Sequence, residues 1–263
     1  MLSTLSTVIK RHSLLTFFIL AYALSWCVVI PTGGSLLPWG PALAAIIMLA
    51  ITEGKPGVKD LLSQMGRWRV GFIWYVVALS IPIGYSLAAA GLNFLFGAAI
   101  GQLDPWYNLL LLIPLLLLLG GQWEEPGWTG YALPRLQVGR SALAASLIFS
   151  VFRVGWHLPL FLYGQIDWVD ILFNIAMQIV VTWLYNSTHR SVLIVMVLHL
   201  MQNVSGGLFN PMFSGGDAVN YAWLKAALYG VIAIGVIVWA GAAHLSRRPS
   251  VQAEAVGEPV AGV

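Results

Sequence analysis

Residues 109–131 read LLLLIPLLLLLGGQWEEPGWTGY, and this stretch indicates both the class of fold and the place of the chemistry. The run Leu109–Leu119 contains no polar side chain, as expected of a segment that crosses a lipid bilayer. Two adjacent carboxylates, Glu124 and Glu125, follow the run closely. Because an ionised side chain is costly to bury at the edge of hydrocarbon, a membrane protein keeps such a pair mostly for ion binding, proton transfer or catalysis.

The composition of the whole chain indicates a membrane protein. Of its 263 residues, 59% are hydrophobic and 9% are charged, whereas a soluble domain is roughly 25% charged. The formal net charge is only +3 and the basic residues lie between apolar runs, so we expect the lipid bilayer as a partner and no nucleic acid. Cys27 is the only cysteine, which excludes an internal disulfide and a cysteine metal cluster.

Eight apolar runs along the chain are candidates for bilayer spans. We therefore predict an all-α, polytopic integral membrane protein with about eight transmembrane helices in a single domain over residues 1–245. Residues 246–263 are polar and small, and we expect a disordered tail there. The predicted spans are Leu14–Pro31, Leu37–Ile51, Val70–Phe96, Tyr107–Gly121, Ala142–Tyr163, Trp168–Tyr185, Val192–Phe209 and Ala222–Ala243.

The basic residues occur in every second interval between the predicted spans. The other intervals carry Asp104, Asp167, Asp170 and Asp217, and they contain no Lys or Arg. By the positive-inside rule, this pattern predicts an even number of spans, with the basic intervals and both termini in the cytoplasm. The basic intervals and flanks hold Lys10, Arg11, Lys55, Lys59, Arg67, Arg69, Arg135, Arg140, Arg190, Arg247 and Arg248.

The same topology places the glutamate pair at the cytoplasmic end of the fourth predicted span. We accordingly expect a water-accessible cavity that opens toward the cytoplasm, in a protein of the bacterial plasma membrane. The neighbouring Trp123, Pro126 and Trp128 should bury the pair at the level of the lipid headgroups. The alternative is an ordinary interfacial cap, in which both acids are solvated.

Two further segments place polar groups four residues apart within apolar runs. Arg153 and His157 share one face of the fifth predicted span, and His199 and Asn203 share one face of the seventh. An arginine within a span needs an anion or a water-filled cavity, and the glutamate pair supplies the nearest anion in sequence. Taken singly, His157 could be a hydrogen-bonded structural histidine, and the His199–Asn203 pair could bond neighbouring helices.

Together the three segments supply two carboxylates, two imidazoles and an amide, a set that suffices for peptide hydrolysis. A carboxylate and a histidine can orient and deprotonate water, while the second histidine and the amide can stabilise the oxyanion. Alternatively, Glu124, His157 and His199 could hold a zinc ion that activates the water. The spacing alone does not decide between zinc and no cofactor.

At these residues the chain resembles the CAAX protease and bacteriocin-processing family of intramembrane endopeptidases. Residues 124–134, EEPGWTGYALP, look like the family's first motif, a glutamate pair followed by GWRGYxxP. Residues 156–159, WHLP, look like its second motif, and His199-x-x-x-Asn203 fits its third. The motifs lie in order within residues 124–203, and the first three predicted spans add only hydrophobicity to the resemblance.

The resemblance implies a role for each candidate site residue. Glu124 and His157 would activate the water, His199 and Asn203 would form the oxyanion site, and Glu125 would support the catalytic groups. The family cleaves isoprenylated CAAX proteins in eukaryotes, and its bacterial members are linked to peptide maturation and bacteriocin immunity.

The chain departs from the family pattern at two positions. Thr129 stands where the first motif has an arginine, and Arg153 stands where an aromatic residue is expected four positions before the histidine. We hypothesise that Arg153 replaces the lost guanidinium from the neighbouring helix. It should then lie within ion-pair reach of Glu124 or Glu125.

The expected function is the cleavage of a peptide bond in a membrane-associated peptide or protein, either of the prenylated CAAX type or a peptide precursor. Two other classes remain open. One is a non-catalytic binding or immunity protein on the same fold, and the other is an ion-coupled transporter that uses the same intramembrane charges. A transporter would often show an internal repeat, and we detect none in the sequence.

Overall fold

The structure, a computed structural model, describes residues 9–101 and 106–247. Over these ranges the chain is helical and contains no strand, which confirms the predicted all-α class. Most of the expected disordered tail, residues 248–263, lies outside the described residues.

Eleven α-helices are described, together with shorter helical turns. The turns are 3-10 helical at Trp106–Asn108, Gly121–Glu124 and Asn210–Met212, and π-helical at Pro126–Ala132. The α-helices are α1 Ser13–Trp26, α2 Gly40–Thr52, α3 Gly54–Met65, α4 Phe72–Leu95, α5 Leu109–Leu119, α6 Leu133–Gln137, α7 Ala142–Trp156, α8 Leu158–Leu162, α9 Asp170–Ser187, α10 Val192–Phe209 and α11 Gly215–Ala240.

Each predicted span overlaps at least one of these helices, but the helices differ in their capacity to cross a membrane. Three stretches are long and apolar enough by themselves, namely α4, α10 with its following turn, and α11. Helices α1, α2 and α7 are apolar but shorter. These features support a polytopic membrane protein, while the count of eight spans and the cytoplasmic termini stay predictions.

The predicted boundaries are wrong at two of the spans. Helix α11 begins at Gly215, seven residues before the predicted start at Ala222. The fifth predicted span is broken at His157, which separates α7 from α8. The break has a local cause, because Pro159 has no backbone N–H to donate and restricts the residue before it.

Serine caps start the two helices that carry the site histidines. The Ser141 hydroxyl accepts a hydrogen bond from the Ala144 amide at the start of α7. The Ser191 hydroxyl accepts one from the Ile194 amide at the start of α10. A serine at this position satisfies an amide that would otherwise have no partner. In both helices the capping serine directly follows an arginine.

Two packed clusters hold the bundle together around the glutamate segment. In the first, α10 packs against α4, and α9 packs against α7 and α11, with side chains such as Val180, Leu198 and Tyr229 fully buried between them. The second cluster lies beneath α1 and α2 and contains Phe17 and Trp128, whose rings meet edge to face at 5.6 Å. The π-helical turn is thereby anchored between the two clusters.

A close backbone contact fixes the glutamate segment against α2. A Cβ atom at Gly127 would overlap the backbone carbonyl of Pro41, so only glycine fits there. All seven residues of the π-helical turn Pro126–Ala132 are buried. The segment that follows Glu124 and Glu125 is therefore part of the packed core.

The two ends of the bundle differ in charge. At the first end, which we call the basic end, Arg190 pairs with Asp60 at 3.2 Å, Arg135 pairs with Glu53, and the Ala142 amide donates to the Ala243 carbonyl at 2.8 Å. Ten of the twelve described Lys and Arg residues lie at or next to this end. They are Lys10, Arg11, Lys55, Lys59, Arg67, Arg69, Arg135, Arg140, Arg190 and Arg247.

The opposite end, which we call the acidic end, is formed by the turns near residues 27–39, 96–101, 163–169 and 210–214. The Gly101 amide donates to the Met212 carbonyl at 2.8 Å, and the Gln165 side chain donates to the Gly33 carbonyl at 2.9 Å. Asp217 accepts a hydrogen bond from the Ala99 amide at 3.0 Å. Within the described parts of these four turns there is no Lys or Arg.

Candidate active site

The glutamate pair lies where the chain changes from one helical form to another. Glu124 is the last residue of the 3-10 turn Gly121–Glu124, and Glu125 directly precedes the π-helical turn. Glu124 is 5% exposed and Glu125 is 0% exposed. The alternative of a solvated interfacial cap is therefore wrong.

The expected ion pair with Arg153 is confirmed. Arg153 is 1% exposed, and its Nη2 lies 2.6 Å from Glu125 Oε1 and 3.4 Å from Glu124 Oε2. Its Nη1 donates to Gln178 Oε1 at 3.1 Å. A single guanidinium from α7 thus neutralises charge in the glutamate segment and links it to α9.

Glu125 is fully engaged by its neighbours. Its Oε1 accepts a hydrogen bond from Arg153 Nη2 and also lies 2.7 Å from His199 Nδ1. Its Oε2 accepts a hydrogen bond from the Thr129 hydroxyl. Glu125 does not line the cavity described below. Glu125 is therefore held between three partners, and its part in catalysis stays a prediction.

These contacts assign the proton on His199. Nδ1 lies 2.7 Å from the Glu125 carboxylate and 3.3 Å from Arg153 Nη2. A carboxylate accepts hydrogen bonds, whereas a guanidinium donates them. Because the carboxylate is the closer of the two, we assign a proton to Nδ1 that is donated to Glu125. The other ring nitrogen, Nε2, is directed toward the space next to Gly121.

The remaining candidate site residues line a cavity of about 730 Å³. Glu124, His157, His199 and Asn203 all line it, so the expected convergence of these four side chains is observed. Their catalytic roles stay predictions.

Two features of the site were not predicted from the sequence. A Cβ atom at Gly121 would overlap His199 Nε2 and approach Glu124 Oε1 to 2.9 Å, so only glycine lets these two polar atoms lie so close to the backbone there. Gln178, which holds the Arg153 guanidinium, was also missed. A buried amide within the apolar run of α9 was the available signal for Gln178, whereas nothing in the sequence marks Gly121.

His157 is oriented by the backbone of its own helix. Its Nδ1 lies 2.8 Å from the Arg153 carbonyl oxygen. Since a carbonyl oxygen can only accept, Nδ1 carries a proton, and Nε2 of the neutral ring is left as an acceptor. His157 is thus more than a hydrogen-bonded structural histidine, because it also lines the cavity.

Asn203 has its amide available to a ligand. In the part of the chain that the structure describes, its side chain forms no hydrogen bond to protein. The alternative that Asn203 bonds a neighbouring helix is therefore not supported, whereas a donor that faces the cavity is.

The three side chains expected to bind zinc do not fit a metal ion as they are arranged. A catalytic zinc site has three protein ligands, but the described residues contain no group of three or more His, Cys, Asp or Glu side chains that could hold a metal ion. Glu124 also lies 3.4 Å from the Arg153 guanidinium, which would repel a bound cation. We derive no chemical step through a metal.

The expected position of the glutamate pair at the cytoplasmic end of the fourth span stays a prediction, but the helix that leads to the pair is shorter than the predicted span. Helix α5, which leads to Glu124, has 11 residues. At 1.5 Å per residue it covers about 16 Å, roughly half the hydrocarbon thickness. The pair therefore lies inside the bundle, and the cavity extends from it toward the acidic end, where Ser35 and Gln165 are exposed at its rim.

Comparison with known proteins agrees with this site. The model of the type II CAAX prenyl endopeptidase Rce1-like family matches residues 105–205, a range that contains the site residues from Glu124 to Asn203. Over this range the chain is similar to these endopeptidases. The CAAX prenyl protease 2 of Methanococcus maripaludis is 29% identical, over 63% of this chain and 68% of the relative. Both matches confirm the resemblance seen in the motifs and support an integral membrane endopeptidase of the CAAX protease type.

Replacing Arg153 with leucine should destabilise the protein strongly. Removing one partner of a buried ion pair leaves an uncompensated charge, which typically costs about 3–5 kcal/mol. We expect a lower midpoint of thermal unfolding for Arg153→Leu in detergent, and a partial recovery when Glu125→Gln is added, because the buried charge is then removed. Arg69→Leu, at an exposed arginine of the basic end, is the matched control. Equal midpoints for Arg153→Leu and Arg69→Leu would show that the pair contributes nothing.

Proposed function

We propose that the protein hydrolyses a peptide bond of a membrane-associated peptide or protein, with water activated by Glu124 and His157. The observation that carries the proposal is the shared cavity, into which a carboxylate and a histidine with a free acceptor nitrogen both face. The endopeptidase relatives support the same class of reaction.

The base is assigned to Glu124 because of how its two oxygens are used. Oε2 accepts the indole N–H of Trp128 at 3.2 Å and lies near Arg153. Oε1 lies beside Gly121 and His199 Nε2, and the Glu124 side chain lines the cavity, where a water could reach it. A carboxylate with one oxygen held and the other free can orient a water and accept its proton.

His157 would contact the same water, because it lines the same cavity. Its Nδ1 proton is committed to the Arg153 carbonyl, so only Nε2 is free to accept a hydrogen bond from the water or to pass a proton onward. Catalytic contacts often tighten only when substrate binds, so a direct Glu124–His157 bond is not required in the free protein.

The developing oxyanion would be stabilised by His199 and Asn203. The Asn203 amide can donate without breaking an existing bond. His199 can donate from Nε2 only in the form in which both ring nitrogens carry protons, and its Nδ1 lies 2.7 Å from the Glu125 carboxylate. Donors fixed in place before the reaction are the main electrostatic contribution in such sites.

The cavity suits a substrate with apolar groups near the scissile bond. Leu112, Leu116 and Leu119 of α5 line one side, and Phe173 and Met177 of α9 line another. A prenylated CAAX-type peptide and an apolar peptide precursor both have this chemistry. The Methanococcus relative, named as a CAAX prenyl protease, supports the same substrate class.

Glu124→Gln should abolish cleavage while leaving the fold intact. The amide keeps the shape of the side chain but cannot accept a proton from water. The native substrate would first be identified by comparing the membrane and secreted proteomes of cells with and without the protein. Turnover of that substrate by purified Glu124→Gln is then measured beside Glu53→Gln, a change to an exposed carboxylate at the basic end. Near-normal turnover by Glu124→Gln would favour the non-catalytic alternative or another base.

Asn203→Ala should lower turnover by about 10²–10³-fold, the usual contribution of one oxyanion donor. Asn174→Ala is the matched control, because Asn174 lines the same cavity but uses its amide to bond the Asp170 carbonyl. If both alanine variants behaved alike, the role of Asn203 would be refuted.

A chelator series tests zinc, the cofactor that the sequence left open. We expect full activity after verified removal of metals from the purified protein, because the proposed water activation uses only side chains. Loss of activity that returns with added zinc, and not with magnesium, would show that a metal is required after all.

A further inference from the structure

A cation that the proposed reaction does not use also lines the site cavity. Lys225 of α11 lies in the cavity wall, and its Nζ donates to Asn210 Oδ1 at 2.8 Å. The same nitrogen lies 4.9 Å from the centre of the Tyr221 ring. Both partners are uncharged, and in the described part of the chain no carboxylate forms an ion pair with Lys225. A lysine within an apolar helix is costly to keep, so it indicates a binding function.

Two acids near Lys225 leave its ammonium group open to a ligand. Asp167 and Asp170 line the same cavity and act on Lys225 only at longer range. Asp170 Oδ2 accepts the Asp167 amide at 3.0 Å and so completes its own turn. An ammonium group has three N–H donors, and the bond to Asn210 uses one of them. The remaining donors can bind an anionic group that enters the cavity.

One face of α10 leads from the proposed oxyanion site to this ammonium. Asn203, Gly206, Gly207 and Asn210 all line the cavity, at spacings that place them on the same side of the helix. A Cβ atom at Gly206 would meet only the Asn210 amide, at 3.6 Å, so the space in front of Gly206 is open. Leu112 of α5 packs against Gly207 and forms an apolar wall beside it. An extended peptide could lie along this face.

The length of this face corresponds to a short peptide segment. Asn210 follows Asn203 by seven positions on the helix, which is about 10 Å at 1.5 Å per residue. An extended chain covers about 3.3–3.6 Å per residue. If Asn203 contacts the scissile carbonyl, a carboxylate about three residues further along the substrate would lie beside Lys225.

From these contacts we propose that Lys225 binds the terminal carboxylate of the substrate and so selects peptides that end about three residues beyond the scissile bond. The proposal rests on the proposed function, which places that bond at Asn203. Of the two substrate types considered above, it favours the CAAX type, which is cut close to its C-terminus, over a precursor that is cut far from its end. Lys225 lies outside residues 105–205, so the family match assigns it no role.

A matched pair of peptides tests the carboxylate site. The probe is a dansylated peptide with a farnesyl group on a cysteine, which ends three residues later in either a free carboxylate or an amide. Affinities are measured by fluorescence anisotropy in detergent, with Glu124→Gln protein so that the peptide is not cleaved. We expect the acid to bind about 10–100-fold more tightly than the amide, the range for loss of a charge-assisted hydrogen bond. Equal affinities, or no binding of either peptide, would overturn the proposal.

Substitutions in the same Glu124→Gln protein assign the preference to Lys225. Lys225→Gln should remove the preference for the acid, and Lys225→Arg should keep most of it. Asn210→Asp, at an exposed position, places a competing carboxylate beside Nζ and should also remove it, so this variant decides the matter if Lys225→Gln does not fold. Lys59→Gln, at an exposed lysine of the basic end, is the matched control. Equal preferences in Lys225→Gln and Lys59→Gln, or an equal loss of affinity for both peptides in Lys225→Gln, would reject the carboxylate site.

Peptide length and turnover separate this proposal from the proposed function. Acids that end one or six residues after the cysteine should bind no better than the amide, whereas a preference at every length would indicate general charge attraction and overturn the proposal. Turnover is measured with Glu124 intact. If the acid is preferred but never cleaved, hydrolysis is rejected and the carboxylate site stands. If acid and amide are cleaved equally well, hydrolysis stands and the carboxylate site is rejected.

Discussion

A buried guanidinium is the constraint on which the site depends. Arg153 cannot remain charged inside an apolar bundle without an anion, and its nearest anions are the two glutamates that the chain places between α5 and α6. The guanidinium also acts on His199 through Glu125, whose Oε1 contacts both Arg153 Nη2 and His199 Nδ1. His157 is held separately by the backbone carbonyl of residue 153, which any side chain at that position would leave in place.

Part of this arrangement was predictable from the sequence, because polar residues in apolar runs must face the interior of the bundle and bond one another. The helical class, the convergence of Glu124, His157, His199 and Asn203, and the Arg153 ion pair all followed from spacing and from the cost of unpaired charge. The depth of the glutamate pair within the bundle was not predictable in the same way. The short α5 and the π-helical turn depend on packing against α2, and a hydropathy pattern does not report such contacts.

The two departures from the family pattern now have a common explanation. Thr129 is too short to supply a positive charge, but its hydroxyl still bonds Glu125, and Arg153 supplies the guanidinium from α7. The exchange keeps the charge balance of the glutamate pair while it changes the helix that carries the cation.

The most direct test of this account is to return the cation to the position that the family motif uses. Arg153→Phe alone and the double variant Thr129→Arg with Arg153→Phe would be compared by thermal unfolding and by turnover of the native substrate. If the guanidinium is the constraint that organises the site, the single variant loses both properties and the double variant recovers much of each. A single variant that keeps wild-type stability and turnover, or a double variant with no recovery of either, would contradict the central role of Arg153.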